Sequence, residues 1–168
     1  MEKQIKKLIK KMPVWQQLII LGIVFGLGFI IQQNRVIDST SVELIACVDG
    51  DTAQLRIAGK KERVRFIAVD APELSSNDFY AKEAADYTCK ALTNANQIKV
   101  EYDPKADERD KFDRIIAWIY VDDVLLQSSL VEGGYAKVRY IYDDYLYVNN
   151  LNRLQAVAKK NFIGVWSK

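Results

Sequence analysis

The chain has 168 residues, of which 49% are hydrophobic and 27% charged, a composition typical of one globular domain with a substantial core. It contains no histidine, which excludes a Ser-His-Asp triad, a histidine general base and a histidine-ligated zinc site. Catalysis must therefore use carboxylates, lysine, arginine, tyrosine or a metal held by oxygen ligands. Cys47 and Cys89 are too few for an all-thiolate zinc site, and the sequence leaves open whether they form a disulfide.

The net charge of +2 is unevenly distributed along the chain. Residues 1–35 contain six basic residues and one acidic residue, whereas residues 36–168 contain 18 basic and 21 acidic residues. The positive charge therefore belongs to the N-terminus. The rest of the chain is mildly acidic, so its overall field does not attract nucleic acid.

The N-terminal segment begins with a lysine cluster over 3–11, followed by fourteen unbroken apolar or glycine residues over 18–31. Fourteen helical residues span about 21 Å of a roughly 30 Å hydrocarbon core, whereas 14–33 is long enough to cross it. A signal-anchor helix, a cleaved signal peptide and a buried helix are the open interpretations. Because no small-x-small cleavage site follows the apolar run closely, a signal-anchor helix within 1–33 is favoured. The rest of the chain would then lie outside the cytoplasmic membrane, or be secreted after cleavage.

Residues 34–41 are polar and are predicted to form a linker. Beyond them, short apolar or alternating runs separated by Asp-Gly and Ala-Gly turns predict a strand meander. The predicted strands cover 42–48, 52–57, 63–69, 98–102 and 115–121. Helical spacing or boundary signals predict helices over 79–94, 124–131 and 145–160. Together these elements predict an α+β fold over residues 42–168, an OB-type five-stranded β-barrel with about three helices.

Several carboxylates lie at predicted turns and strand ends. Asp49 and Asp51 flank a glycine, while Asp70 ends a strand and Glu73 follows shortly after. Each is ordinary by itself, but crowded carboxylates repel one another unless a cation joins them. We therefore expect a hard divalent ion at one edge of the sheet, bound by Asp51, Asp70 and the carbonyl of Ala71. Calcium tolerates such irregular oxygen coordination better than magnesium does.

Arginines and tyrosines supply candidate contacts to a phosphate and a base. Arg65 lies on a predicted strand, and Arg114 lies in the charged loop 103–114. The alternative interpretation is that this loop is simply solvent-exposed and has no functional role. Two guanidinium groups near a metal would bind a phosphate bidentately and stabilise the added charge of a pentacoordinate phosphorus. Tyr140 and Tyr142 alternate along a predicted extended segment, where they could stack on a base or simply pack in the core or at its rim.

Six stretches of this region resemble the staphylococcal nuclease family and occur in the family's order. They are VDGDT, RVRFIAVDAPE, DKFDR, GGYAKVRYIY, AVAKK and GVWS. The resemblance covers residues 42–168. It implies the family fold, an OB barrel with helices, and calcium-dependent hydrolysis of DNA and RNA that leaves 3′-phosphate and 5′-hydroxyl ends.

The resemblance also implies a role for each matching residue. The implied calcium ligands are Asp51, Asp70 and Ala71, the last through its carbonyl. The implied catalytic residues are Arg65, Glu73 and Arg114. The implied substrate-binding residues are Lys111, Phe112, Tyr140 and Tyr142. Glu73 would orient or deprotonate the attacking water, and the arginines would hold the scissile phosphate. Asp113, at a position where glycine is found in the family, adds an acid beside Arg114.

The main alternative is a non-catalytic OB-fold module that binds nucleic acid or protein and is tethered to the membrane. Such a module would usually lack one of the acids or arginines, and all of them are present here. The expected partners are therefore a DNA or RNA substrate and, through the N-terminal helix, the membrane. Nothing indicates a protein partner, and a monomer is expected.

Overall fold

The computed structural model describes residues 42–168, the short segment Val36–Ile37 and the single residues Pro13 and Gln16. Apart from Gln16, the predicted membrane helix over 14–33 therefore lies outside the described residues, as does most of the predicted linker. Among the residues that are described, no helix is long and apolar enough to cross a membrane.

Among the residues that the structure describes, nine strands form two sheets. They are β1 (Val36–Ile37), β2 (Val42–Cys47), β3 (Thr52–Ile57), β4 (Lys60–Phe66), β5 (Val69–Asp70), β6 (Ile98–Glu101), β7 (Ile115–Val121), β8 (Val124–Leu125) and β9 (Lys137–Val138). The larger sheet has the order β1-β6-β7-β4-β3-β2, with β8 added to β7, and β5 pairs with β9 in the smaller one. β4 and β7 run parallel, and the other neighbours run antiparallel.

The β3–β4 hairpin shows how local sequence sets this topology. Its two-residue loop is Ala58 and Gly59, with φ values of 49° and 79°. Two consecutive positive φ angles match the twist of the flanking strands, and the sequence supplies glycine at one of the two positions. The resulting register places Thr52 opposite Arg65, so the start of β3 lies beside the residue predicted to bind phosphate.

Within residues 42–168, three helices cover the sheet: α1 (Ala81–Thr93), α2 (Leu126–Glu132) and α3 (Val148–Lys160), followed by a 3₁₀ turn, Gly164–Trp166. The chain after α2 crosses the 3₁₀ turn closely. A Cβ on Gly134 would lie 2.3 Å from the carbonyl oxygen of Ile163, and one on Gly164 would lie 2.2 Å from that of Gly134. Both positions therefore need glycine, and the crossing allows Val165 to donate a 2.9 Å hydrogen bond to Gly134.

The core lies between the curled sheet and the helices and is built from large aliphatic and aromatic side chains. Trp118 and Phe66 are fully buried, and each buried side chain of this size contributes about 1.5–3 kcal/mol by leaving water. Trp118 Nε1 donates to the carboxylate of buried Asp103 over 2.9 Å, and the Leu146 amide donates to the same oxygen over 2.8 Å. The core thus fixes the start of the charged loop 103–114.

The predicted α+β class is confirmed, residues 42–168 contain the three predicted helices, and the strands form a curled half-barrel with additional short strands. The predicted strand 63–69 breaks after Phe66, because Ala68 has a φ of 61°, and Val69–Asp70 pair instead with β9. Likewise, the start of the predicted helix 124–131 is the short strand β8.

A disulfide joins β2 to α1. Cys47 and Cys89 are bonded, with their Cα atoms 5.4 Å apart and a sequence separation of 42. The question that the sequence left open is therefore answered: the two cysteines pair.

Candidate active site

The Asp49–Asp51 turn is seated against α1. A Cβ on Gly50 would lie 2.6 Å from the Cβ of Ala71 and 2.9 Å from that of Ala84, so any larger residue would push the turn outward. The hydroxyl of Thr88 donates to the carbonyl of Gly50 over 2.7 Å. This close packing places Asp51 at the start of β3, at the edge of the half-barrel.

Asp51 is a buried carboxylate with several donors. Its Oδ2 accepts a 2.8 Å hydrogen bond from the amide of Ala71 and lies 3.0 Å from Arg65 Nη2, while its Oδ1 accepts from the hydroxyl of Thr52 over 3.0 Å. Burial raises the pKa of Asp51 to about 7, and the favourable charge of Arg65 offsets this only in part. A further positive charge at this position would therefore stabilise the ionised carboxylate.

The Arg65 guanidinium contacts two main-chain carbonyls and two carboxylates. Its Nη1 donates to the carbonyl oxygens of Phe66 and Val69, each over 2.7 Å. Its Nη2 lies 3.0 Å from Asp51 Oδ2 and 3.5 Å from Asp70 Oδ1, and its side chain is 13% exposed. One guanidinium nitrogen thus lies between the two carboxylates that the sequence predicted as metal ligands.

Asp70 reaches this cluster from the smaller sheet, not from the same sheet as Asp51, which corrects the prediction of a single sheet edge. Its Oδ2 lies 3.2 Å from Nη1 of Arg139, which follows β9 and whose amide donates to the carbonyl of Ala68 over 3.1 Å. Both carboxylate oxygens of Asp70 therefore face a guanidinium. Arg139 was not predicted from the sequence, because the contact joins residues 69 positions apart across the β5–β9 pairing.

A cavity of about 650 Å³ adjoins the cluster and collects most of the predicted site residues. The predicted residues that line it are Arg65, Asp70, Glu73, Lys111, Phe112, Arg114, Tyr140 and Tyr142. Asp51 and Ala71 do not line it; both are buried, Asp51 contacts Arg65, and the Ala71 amide donates to Asp51. Tyr145 also lines the cavity and was missed, because it fell at the start of a predicted helix; the structure begins that helix at Val148.

Arg114 is oriented by a residue of its own loop. Asp110 Oδ2 accepts a 2.7 Å hydrogen bond from Arg114 Nε and forms an ion pair with Arg114 Nη2, which is also 2.7 Å away. Burial pushes the pKa of Asp110 upward, but hydrogen bonds from Arg114 and from the Phe112 amide outweigh burial and leave it below the usual carboxyl value. The exposed Phe112 ring lies 5.4 Å from the Arg114 guanidinium and 5.0 Å from the Lys111 ammonium, so cationic and aromatic groups alternate here.

The same loop is tied to β4. Arg109 Nη2 lies 2.8 Å from a carboxylate oxygen of Glu62, and its Nη1 lies 3.5 Å from Asp113. Asp113, the acid that the sequence placed beside the phosphate clamp, thus pairs with Arg109. Its charge is partly neutralised at that end of the loop.

Tyr140 and Tyr142 reach the cavity by a route that the sequence did not predict. β9 ends at Val138, and Tyr140 has a φ of 57°, so simple strand alternation does not explain their common side. The Tyr140 ring centroid lies 5.8 Å from the guanidinium carbon of Arg65 and 5.5 Å from that of Arg139. Tyr142 is largely exposed and available for stacking.

The donor set can be tested for its fit to a metal ion. Among the described residues, no three Asp, Glu or Cys side chains are grouped so that they could hold one. Two carboxylates, of Asp51 and Asp70, do converge on a single positively charged nitrogen of Arg65. Carboxylate and carbonyl oxygens are the ligands that Ca²⁺ accepts, with waters completing its shell. The donor types are therefore those that a hydrated cation accepts, and the position between the two carboxylates is taken in this structure by Arg65 Nη2.

Comparison with known proteins points to one family. The family model described as Staphylococcal nuclease homologue matches residues 63–168. Endonuclease YncB of Bacillus subtilis (strain 168) is 34% identical over 132 residues, which are 76% of this chain and 62% of that protein. The SPbeta prophage-derived endonuclease YokF of the same organism is 33% identical over 131 residues, 76% of this chain and 44% of YokF. Thermonuclease of Staphylococcus hyicus is 30% identical over 129 residues, 74% of this chain and 75% of that enzyme. The chain thus spans about half to two thirds of the two Bacillus proteins.

Proposed function

The chain belongs to the staphylococcal nuclease homologue family, and from this premise we propose that it is a calcium-dependent nuclease that hydrolyses phosphodiester bonds of DNA and RNA to 3′-phosphate products. The observation that carries the proposal is the cluster of Asp51, Arg65 and Asp70 beside a cavity that Glu73 and Arg114 also line. Oxygen ligands for a hard cation and guanidinium donors for a phosphate are the two components that such hydrolysis requires.

Asp51, Asp70 and the carbonyl of Ala71 would hold the calcium ion, which when bound supplies positive charge to the phosphate and a more acidic water. Arg65 and Arg114 donate hydrogen bonds to the phosphate oxygens and stabilise the charge that develops on them. Their anchoring by main-chain carbonyls and by Asp110 fixes the donors before substrate arrives.

Glu73 is the candidate general base. It is exposed and lines the same cavity as Arg65, so its carboxylate can accept a proton from a water that attacks the phosphorus in line. Phe112 and Tyr142 are exposed aromatic side chains at the cavity and would stack on bases. Because the region after residue 35 is mildly acidic, substrate capture rests on these local contacts. We expect weaker capture than in a strongly basic relative at equal salt.

The test is cleavage by the full chain of single-stranded DNA, duplex DNA and RNA, in calcium and in excess chelator. We expect cleavage in calcium alone, with products that a 3′-phosphatase can modify and with a large loss in Glu73→Gln. Cleavage that persists in chelator, or products with 5′-phosphate ends, would contradict the proposal. Tight binding in calcium without cleavage would support the non-catalytic module instead.

We also propose that the nuclease domain lies outside the cytoplasmic membrane, anchored by the N-terminal segment or secreted after its cleavage. The apolar run over 18–31 with its lysine-rich flank supports this, and so does the Cys47–Cys89 disulfide, since disulfides persist in oxidising compartments. Protease added to intact cells should digest the domain if it is displayed. Full protection in intact cells with digestion after lysis would place it inside.

A further inference from the structure

Arg139 differs from the other guanidinium groups of the site in how loosely it is held. Its side chain is 62% exposed, compared with 13% for Arg65. Arg139 contacts Asp70 through one 3.2 Å hydrogen bond, whereas Arg65 also donates to two main-chain carbonyls. An exposed ion pair contributes little to stability, so Arg139 can exchange its partner at small cost.

The partner of Arg139 is a predicted calcium ligand. Asp70 Oδ2 faces Arg139 and Asp70 Oδ1 faces Arg65, so both oxygens are already near positive charge. A divalent cation on Asp70 would repel both guanidinium groups, and Arg139 is the one that is free to leave.

A second contact places the Arg139 guanidinium beside a residue that lines the cavity, although Arg139 itself is not part of the lining. The Arg139 guanidinium carbon is 5.5 Å from the ring centroid of Tyr140, and the same ring is 5.8 Å from Arg65. Tyr140 lines the cavity that holds Arg65 and Arg114. Arg65 and Arg139 thus share two neighbours, Asp70 and Tyr140, so the phosphate next to one held at Arg65 is the natural partner for a released Arg139. Arginine binds phosphate bidentately.

We propose that Arg139 is a third phosphate-binding arginine under the control of the metal site. Arg139 pairs with Asp70 when no calcium is bound, and it transfers to the phosphate adjacent to the scissile one when Asp70 binds calcium. The inference rests on the proposed function and deepens it, because the substrate class becomes a polynucleotide with at least two phosphates at the site. By linkage, Arg139 weakens calcium binding in the absence of nucleic acid and strengthens calcium-dependent binding of nucleic acid.

The experiment uses the full chain with Glu73→Gln throughout, so that the probes stay intact. Arg139→Ala and Arg139→Lys are compared with Arg153→Ala, an exposed arginine on α3 that contacts Asn150. Calcium alone is titrated by calorimetry. Labelled octathymidylate, with seven internucleotide phosphates, and thymidine 5′-monophosphate, with one, are then titrated in saturating calcium and in chelator at several salt concentrations.

In Arg139→Ala we expect calcium alone to bind about threefold more tightly, because a competing cation is removed. Octathymidylate in calcium should bind about tenfold more weakly, while thymidine monophosphate is unchanged. The log–log salt slope for octathymidylate should fall by about 0.7, the value for one phosphate contact on a single strand. Arg139→Lys should keep the slope, and Arg153→Ala should match the parent in every titration.

Other outcomes separate the inference from the proposed function. If the parent binds octathymidylate in calcium and Arg139→Ala binds it equally well, the inference is wrong and the nuclease proposal stands. Unchanged or weaker calcium binding in a folded Arg139→Ala protein would likewise overturn it. If the parent binds neither calcium nor octathymidylate, both proposals fail.

Discussion

The two arginines of the predicted phosphate clamp are held in different ways. Arg65 lies on a strand of the larger sheet, donates to two main-chain carbonyls and faces two carboxylates. Arg114 follows a charged loop and depends on one carboxylate, Asp110, four residues earlier. The position of Arg65, the inner arginine, therefore depends on contacts from several parts of the fold. The position of Arg114, the outer arginine, depends on one contact within its own loop. Substitutions at Arg65 should couple activity to stability, whereas substitutions around Arg114 should separate them.

The largest expected effect is that of Arg65→Ala. Loss of one donor to the transition state typically lowers kcat by about 10²–10³, or about 3–4 kcal/mol. The substitution also leaves buried Asp51 without its cationic partner, which lowers the free energy of unfolding by about 3–5 kcal/mol. Turnover on single-stranded DNA and urea denaturation measure the two effects separately. Arg65→Lys, which keeps the charge, should recover more stability than activity. An Arg65→Ala protein as stable as wild type would contradict the expectation that Arg65 couples activity to stability.

The next effect is that of the disulfide, which lies near Arg65 in the fold because Cys47 is two residues before the Asp49–Asp51 turn. Closing a loop with a sequence separation of 42 removes about 4 kcal/mol of denatured-state entropy in the simple chain model. The double variant Cys47→Ser, Cys89→Ser should therefore unfold at lower urea while keeping turnover within a few fold at 25 °C. Wild-type protein in reductant serves as the matched control. Equal denaturation midpoints for all three samples would show that the bond is energetically silent.

The smallest effect is expected at Asp110→Asn, in the outer region. Loss of the charge-assisted pair should lower kcat/KM about tenfold through Arg114, with less than about 1 kcal/mol lost in stability. Because the pKa of Asp110 is lowered in the folded protein, its contribution to stability is present above the ordinary carboxyl pKa and disappears as pH falls through the folded value. The stability difference between wild type and variant should therefore shrink in acid. A difference that grows in acid would show that Asp110 is not the ionised partner of Arg114.

Features that depend on a continuous stretch of sequence were predicted, whereas contacts that depend on how strands pair were not. Residues 115–121 were predicted as a strand with the bounds that the structure gives, since their apolar run is unbroken. The break at Ala68 could not be predicted from the sequence, because alanine, unlike glycine, does not indicate a residue with positive φ. Arg139 next to Asp70 follows from the β5–β9 register, which joins two-residue strands too short to be read from periodicity.

The site shows the same division. Arg65, Glu73 and Arg114 were predicted from motifs, and the structure places them around one cavity. The hydrogen bond from Arg114 to Asp110 could be recognised only from the geometry of the loop, since an acid four residues from an arginine is common in charged loops. The pairing of Cys47 with Cys89 could not be judged, because distance across a fold is not encoded in sequence spacing.

The bond between Cys47 and Cys89 encloses the exposed stretch 73–79, which leads from the site into α1. Exposed turns of this kind are where proteases cut folded domains first. A single cut there would yield two fragments that still migrate as one species until a reductant is added. Where proteases are present, a cut within 73–79 would therefore release neither half of the domain.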